Sequence, residues 1–301
     1  MGLHAIPSER KETMKTNSCD LVQNYRRDGF VIIRNAFVPQ RIDELARLEE
    51  EVVAPFDGPL PRHDGLTVAH GYYQAPQLSA FGRSRCGLMN LHQIRNHRLQ
   101  QFVEAFSELL TSPEIFSALN ALYAEDRFTL HQTITFLVSP LTVTHIERMT
   151  VDTQPLGGCC TVWLPIDPID AMNGPVYVVP RGQRDYHSDE ELGIADAVTR
   201  SESPAKAKAF HREALLRKLK SERFVMVVPQ LERGDLLIYA ASTPHGSFPS
   251  TDPRLRRRSV QAIYRVTRFT AWGGYPFHDQ PHSVAREEDV ISDHFNFLRH
   301  S

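Results

Sequence analysis

From residue 128 onward the chain is a succession of short apolar or alternating runs, each closed by a turn signal. The runs cover residues 128–138, 142–151, 159–166, 176–179, 224–228, 235–240 and 260–270. Between them stand Pro155-Leu156-Gly157-Gly158, Asn173-Gly174, Arg233-Gly234 and Thr251-Asp252-Pro253. Apolar runs this short, bounded by Gly, Pro and Asn, read as strands. A doubly wound parallel sheet needs strands alternating with helices, and that alternation is missing. A sandwich or jelly roll is the expected architecture. One helical insert, 204–220, interrupts the series, with charges over most of its surface.

The N-terminal part has a different texture. Residues 1–17 are polar and read as a flexible tail without the apolar centre of a signal peptide. A short helix then leads through Asp28-Gly29 into the strand-like Phe30-Val31-Ile32-Ile33. Pro39 opens a helix with Ile42, Leu45, Leu48 and Val52 at helical spacing. Residues 55–88 have no periodicity and read as a long loop, the expected lid. Residues 99–122 are helical, broken at Pro113 with Ser112 as cap. The expected fold is therefore mainly β: a double-stranded β-helix (jelly roll, cupin-like) buttressed by N-terminal helices. Residues 18–301 read as one domain: a helical part 18–127, a core 128–270 and a C-terminal extension 271–301.

Composition narrows the function classes. The 34 Lys and Arg nearly balance 36 Asp and Glu, so nucleic acid is not expected as a partner. No apolar run approaches the ~18 residues of a membrane span. A soluble cytoplasmic protein, monomer or homodimer, is expected. The four cysteines form no CxxC pair, and Cys159 and Cys160 read as buried free thiols on opposite faces of a strand.

The chemistry rests on histidines. Two His and one carboxylate can hold an iron ion on one side and leave positions open. Two of these ligands often come as His-x-Asp/Glu, because alternate strand residues point the same way. With 14 His and 36 acids in 301 residues, chance supplies roughly two such matches. Three occur: His145-Ile146-Glu147, His187-Ser188-Asp189 and His211-Arg212-Glu213. His211 lies in the helical insert, where residues two apart do not share a face. His187 lies in an acidic loop. Only His145 sits in a strand-like run.

The text around His145 resembles the phytanoyl-CoA dioxygenase-like family of iron(II)- and 2-oxoglutarate-dependent oxygenases. His145-Ile-Glu147 is followed by Pro155-Leu-Gly-Gly, Trp163-Leu-Pro-Ile-Asp167, Asn173-Gly174 and Pro180-Arg-Gly-Gln183. Later come Arg233-Gly-Asp235, Pro244-His245-Gly246-Ser247 and Arg256, which stands 11 residues after His245. Tyr25-Arg-Arg-Asp-Gly-Phe-Val-Ile-Ile resembles the family's opening, so the likeness spans about residues 20–270. It implies that His145, Glu147 and His245 hold iron(II). It implies that 2-oxoglutarate chelates the ion and sends its far carboxylate to Arg256, with Arg258 as rival on the same strand parity. Ser247 adds a hydroxyl, Trp163 walls the pocket, and Gln132 or Asn90 reaches the co-substrate with an amide. The implied activity is oxidation of a small-molecule metabolite by O2, with 2-oxoglutarate converted to succinate and carbon dioxide. Hydroxylation, desaturation or ring formation all fit, and secondary metabolism is the expected setting.

Three departures from the family pattern stand out, the first being Pro180-Arg-Gly-Gln183 where the family has a Pro-Gly-Ser-His-like turn. Glu147 replaces the family's Asp. It also fills the position that related halogenases leave open for chloride. Asn90, beside His92, stands where the family has a Lys. Two other readings remain open at this point: a non-catalytic binding protein on the same fold, and a redox-neutral metalloenzyme.

Overall fold

The computed structural model describes residues 4–5, 18–61, 68–70, 87–139, 142–149, 151–181, 204–221, 223–252 and 255–272. The expected lid lies mostly outside these residues, as do nearly all of the tail and of the C-terminal extension. Of the tail only β1 (His4–Ala5) is described.

The N-terminal elements follow their sequence signals. Helix α1 (Ser18–Asp28) ends where Gly29 takes φ +80°, a left-handed value that costs glycine nothing. Strand β2 (Phe30–Ile33) follows directly. Helix α2 (Pro39–Leu48) has Pro at its start and buries Ile42, Leu45 and Leu48, then widens into a π-helical turn over Glu49–Val53. A small hairpin pairs β3 (Pro59–Pro61) with β4 (Val68–His70), and β5 (Leu88–Met89) follows. Helices α3 (Gln100–Leu110) and α4 (Pro113–Tyr123) break at Pro113 as expected. Ser112 occupies the N-cap position, but its hydroxyl makes no capping bond.

Six of the seven expected runs form strands, mostly shortened at their ends, and three short strands not expected as such form at 152–154, 245–247 and 270–272. They are β6 (Phe128–Phe136), β7 (Asp152–Gln154), β8 (Cys159–Pro165) and β9 (Val176–Val178). The helical insert is α5 (Pro204–Ser221). After it come β10 (Val227–Val228), β11 (Leu236–Ala240), β12 (His245–Ser247), β13 (Ser259–Val266) and β14 (Thr270–Trp272). The run 142–151 is different. It holds a single antiparallel bridge, His145 to His245, and then a 3-10 turn over Glu147–Met149.

Two facing sheets make the jelly roll. The larger has the order β2-β11-β8-β13-β6-β5, the smaller β1-β10-β9-β12. The helical part is thus not separate from the core, because β2 and β5 supply both edges of the larger sheet. Its outer face carries Val162, Leu164, Ile238, Val260 and Tyr264, packed in one cluster with Leu45, Phe106, Ile115 and Leu119 of the helices. Truncating one such buried leucine to alanine costs about 2–5 kcal/mol. A second cluster, with Trp163, Val176, Val178, Leu237 and Tyr239, fills the space between the sheets. Cys159 and Cys160 are buried free thiols, and fall in different clusters.

Candidate metal and anion site

Strand β13 positions the site. It runs between β6 and β8, with Gln261 opposite both Ile134 and Trp163, and Ala262 opposite Thr133 and Val162. Directly paired residues share a face of the sheet. Even-numbered β13 residues therefore face the helices, and odd-numbered ones face the smaller sheet. Across the gap, β12 pairs His245 with Val178 and Ser247 with Val176. Between them lies a cleft whose walls include His145, His245, Trp163, Ser247, Arg257 and Gln261.

At one end three donors converge. Ligand atoms of His145, Glu147 and His245 all lie within 4.8 Å of one another, and this is the only such cluster among the described residues. The two histidines are held by reciprocal backbone bonds of 3.0 Å, which bring their rings to 4.3 Å. Each ring turns Nδ1 onto a carbonyl two residues earlier: His145 onto Val143 at 2.9 Å, His245 onto Thr243 at 3.0 Å. A carbonyl only accepts, so Nδ1 carries the proton and Nε2 keeps its lone pair. His245 Nε2 is buried without a hydrogen-bond partner and stands 3.4 Å from Glu147 Oε1. Two basic ring nitrogens beside a buried carboxylate are a donor set for a divalent ion of the iron type. Gly246 lets the strands close, since a Cβ there would meet the Tyr177 hydroxyl.

Arg257 lines the same cleft. It is 2% exposed, lies 4.9 Å over the Trp163 ring, and donates to Ser259 Oγ at 3.2 Å. Its Nε has no partner, and no carboxylate pairs with it among the described residues. Burial pushes its pKa down to about 9. A buried, undischarged guanidinium facing a cleft is a site for an anion, which it can grip with two parallel N–H bonds. Ser247 Oγ, on the opposite wall, accepts from Thr142 N at 2.8 Å.

The arginine expected here was Arg256, with Arg258 as rival, and the structure places neither in the cleft. Arg256 is exposed and pairs with Glu50. Arg258 is buried on the helix side, where Asp167 takes its Nη2 at 2.8 Å and Glu49 its Nη1 at 3.2 Å. The parity was misjudged by one residue. The 11-residue spacing stops at Arg256, short of β13, whereas Arg257 lines the cleft with Gln261. Trp163 and Ser247 line the cleft as expected. The amide in the cleft is Gln261, whose Nε2 donates to Glu147 Oε1. Gln132 is half-buried, pairs with Ile263 and is not among the lining residues. Asn90 sits at the edge of the sheet with φ +51°, its Oδ1 accepting from Thr133 N at 2.9 Å. It does not line the cleft, and neither does His92, which is bonded to Thr133 Oγ1 at 3.0 Å. Sequence reasoning missed Arg257, Gln261 and Tyr239, whose ring lies 4.4 Å from that of His245. Strand alternation back from Gln261 would have found Arg257 had the pairing register been known.

The family model described as phytanoyl-CoA dioxygenase matches residues 25–258. No curated protein matches by sequence. Solved structures are similar in fold at low identity. The epimerase SnoN, in complex with Fe3+, alpha ketoglutarate and nogalamycin RO, is 17% identical with a TM-score of 0.57, over 90% of this chain and 92% of that one. EctD from S. alaskensis, with 2-oxoglutarate and 5-hydroxyectoine, is 14% identical with a TM-score of 0.58, over 92% and 87%. The carbocyclase SnoK from nogalamycin biosynthesis is 14% identical with a TM-score of 0.56, over 85% and 87%.

Proposed function

As this chain belongs to the phytanoyl-CoA dioxygenase family of iron(II)- and 2-oxoglutarate-dependent oxygenases, we propose that His145, Glu147 and His245 hold its iron and that Arg257 binds the far carboxylate of 2-oxoglutarate. The observation that carries this reading is Arg257: a buried cation without a carboxylate, in the same cleft as a buried, unpartnered ligand nitrogen on His245. A dicarboxylate with a metal-chelating keto-acid end answers both the donor cluster and the buried guanidinium. A redox-neutral metal site or a simple binding protein has no need of the guanidinium.

The residues divide the work. The Val143 and Thr243 carbonyls accept from Nδ1 of the two imidazoles and so fix the tautomer in which Nε2 is the ligand atom. Trp163 and Arg257 form the wall and anchor of the co-substrate, and Ser247 offers it a hydroxyl from the facing strand. The low-polarity surroundings of Val176, Phe136 and Tyr239 keep water from competing for the guanidinium. When bound, the iron and co-substrate supply the oxidising power that O2 brings to a C–H bond of a small molecule. Support for a secondary metabolite as substrate comes from SnoN and SnoK, both nogalamycin enzymes. No helix among the described residues is long and apolar enough to cross a membrane.

The test is succinate formation from 2-oxoglutarate by the purified protein with iron(II) and oxygen. Succinate is expected from the wild type and none from His245→Ala. A wild type that binds iron tightly but neither binds nor consumes 2-oxoglutarate overturns the reading.

A further inference from the structure

We propose that Gln261 is the positioning residue that sets the reach and direction of the Glu147 carboxylate, so that a glutamate can serve where a shorter acid would otherwise stand. This rests on the reading of His145, Glu147 and His245 as iron ligands. Glu147 is not on a strand: the backbone leaves the sheet after the His145 bridge and begins a 3-10 turn at Glu147, two residues on. Its side chain has one more rotatable bond than an aspartate, so its carboxylate has more directions open to it. An ion gains affinity when those directions are already restricted before it binds.

Gln261 supplies the restriction. It sits in β13, a strand paired on both sides, to β6 and to β8. Its Nε2 donates to Glu147 Oε1, and that same oxygen faces His245 Nε2 at 3.4 Å. A neutral amide orients the carboxylate without cancelling its charge, as an arginine or lysine at this position would. The bond is between two buried side chains, 6% and 9% exposed, so water does not compete for it. Asp at position 147 would withdraw the carboxylate by about 1.5 Å, one carbon–carbon bond, out of reach of this amide. The role of Gln261 is therefore tied to the glutamate.

That tie gives the test, a double-mutant cycle read by anaerobic iron(II) titration calorimetry rather than by turnover. Gln261→Met keeps side-chain length and removes the donor. It is expected to weaken iron binding about 10–100-fold, the usual effect of losing a partner that orients a metal ligand. In a Glu147→Asp background the same change is expected to matter less than about 3-fold. Should Gln261→Met fail to fold by thermal melt, Gln261→Asn, which keeps the amide but falls short, carries the same comparison. Equal loss in both backgrounds, or no loss in either, overturns the proposal and leaves the iron site standing. A wild type that binds no iron overturns the site reading itself.

Discussion

Arg257 and Arg258 are adjacent and both buried, and their surroundings are opposite. Arg258 faces the helices and is surrounded by acids: Asp167 at 2.8 Å, Glu50 at 3.0 Å and Glu49 at 3.2 Å. Those partners raise its pKa against the effect of burial. Arg257 faces the cleft, has an aromatic ring and a hydroxyl for company, and its pKa is driven down. One arginine is satisfied by the fold. The other is a cost of the fold, one that the proposed co-substrate carboxylate would offset. The difference separates a structural ion pair from a binding group more sharply than burial or residue type does.

The comparison can be broken in several places. The largest expected effect is on co-substrate binding. Arg257→Met should raise the 2-oxoglutarate requirement about 100-fold or more, as expected for truncating one partner of a buried charge pair. Succinate formation against 2-oxoglutarate concentration measures it, and a change under 3-fold sinks the assignment. Next is stability. Arg258→Met removes the buried cation nearest Asp167 and Glu49, leaving Asp167 only the more distant Arg233 at 3.8 Å, which should cost about 3–5 kcal/mol and lower Tm by on the order of 10 °C. The 2-oxoglutarate requirement of the folded fraction should move far less than in Arg257→Met. A smaller effect has the opposite sign. Without co-substrate, Arg257→Met should melt at the wild-type temperature or a few degrees above it, because an unpaired buried charge has been removed. A fall like that of Arg258→Met would show that both arginines are structural. The smallest effect belongs to Arg256. Its pair with Glu50 is exposed on both sides, so Arg256→Ala should change stability by less than about 0.5 kcal/mol and the 2-oxoglutarate requirement by less than 2-fold.

Much of the fold was legible in the chain. Short runs with turn punctuation predicted the strands, Pro39 and Pro113 marked helix starts, and Gly29 marked a helix end. What failed was the stretch 142–151, read as a strand. Its alternation was real, but a bridge of one residue and a 3-10 turn satisfy the same pattern when the partner strand is as short as β12. In the site, motif order led to His145, Glu147, His245, Ser247 and Trp163. Motif spacing pointed one residue short of Arg257.

The chain by itself determined which residue types were available and in what order: two histidines, an acid, and a run of arginines ahead of a strand. That much follows from local chemistry and periodicity of two. Which arginine enters the cleft is decided by the register of β13 against β6 and β8, because a shift of one residue exchanges the two faces of a strand. Asp167 reinforces that choice from the far side of the sheet, accepting both the Arg258 backbone N–H at 2.9 Å and its guanidinium. Gln261 meets Glu147 across 114 residues of sequence for the same reason. Long-range pairing of this kind is a property of the assembled sheets, and it leaves no mark on the residues beside it.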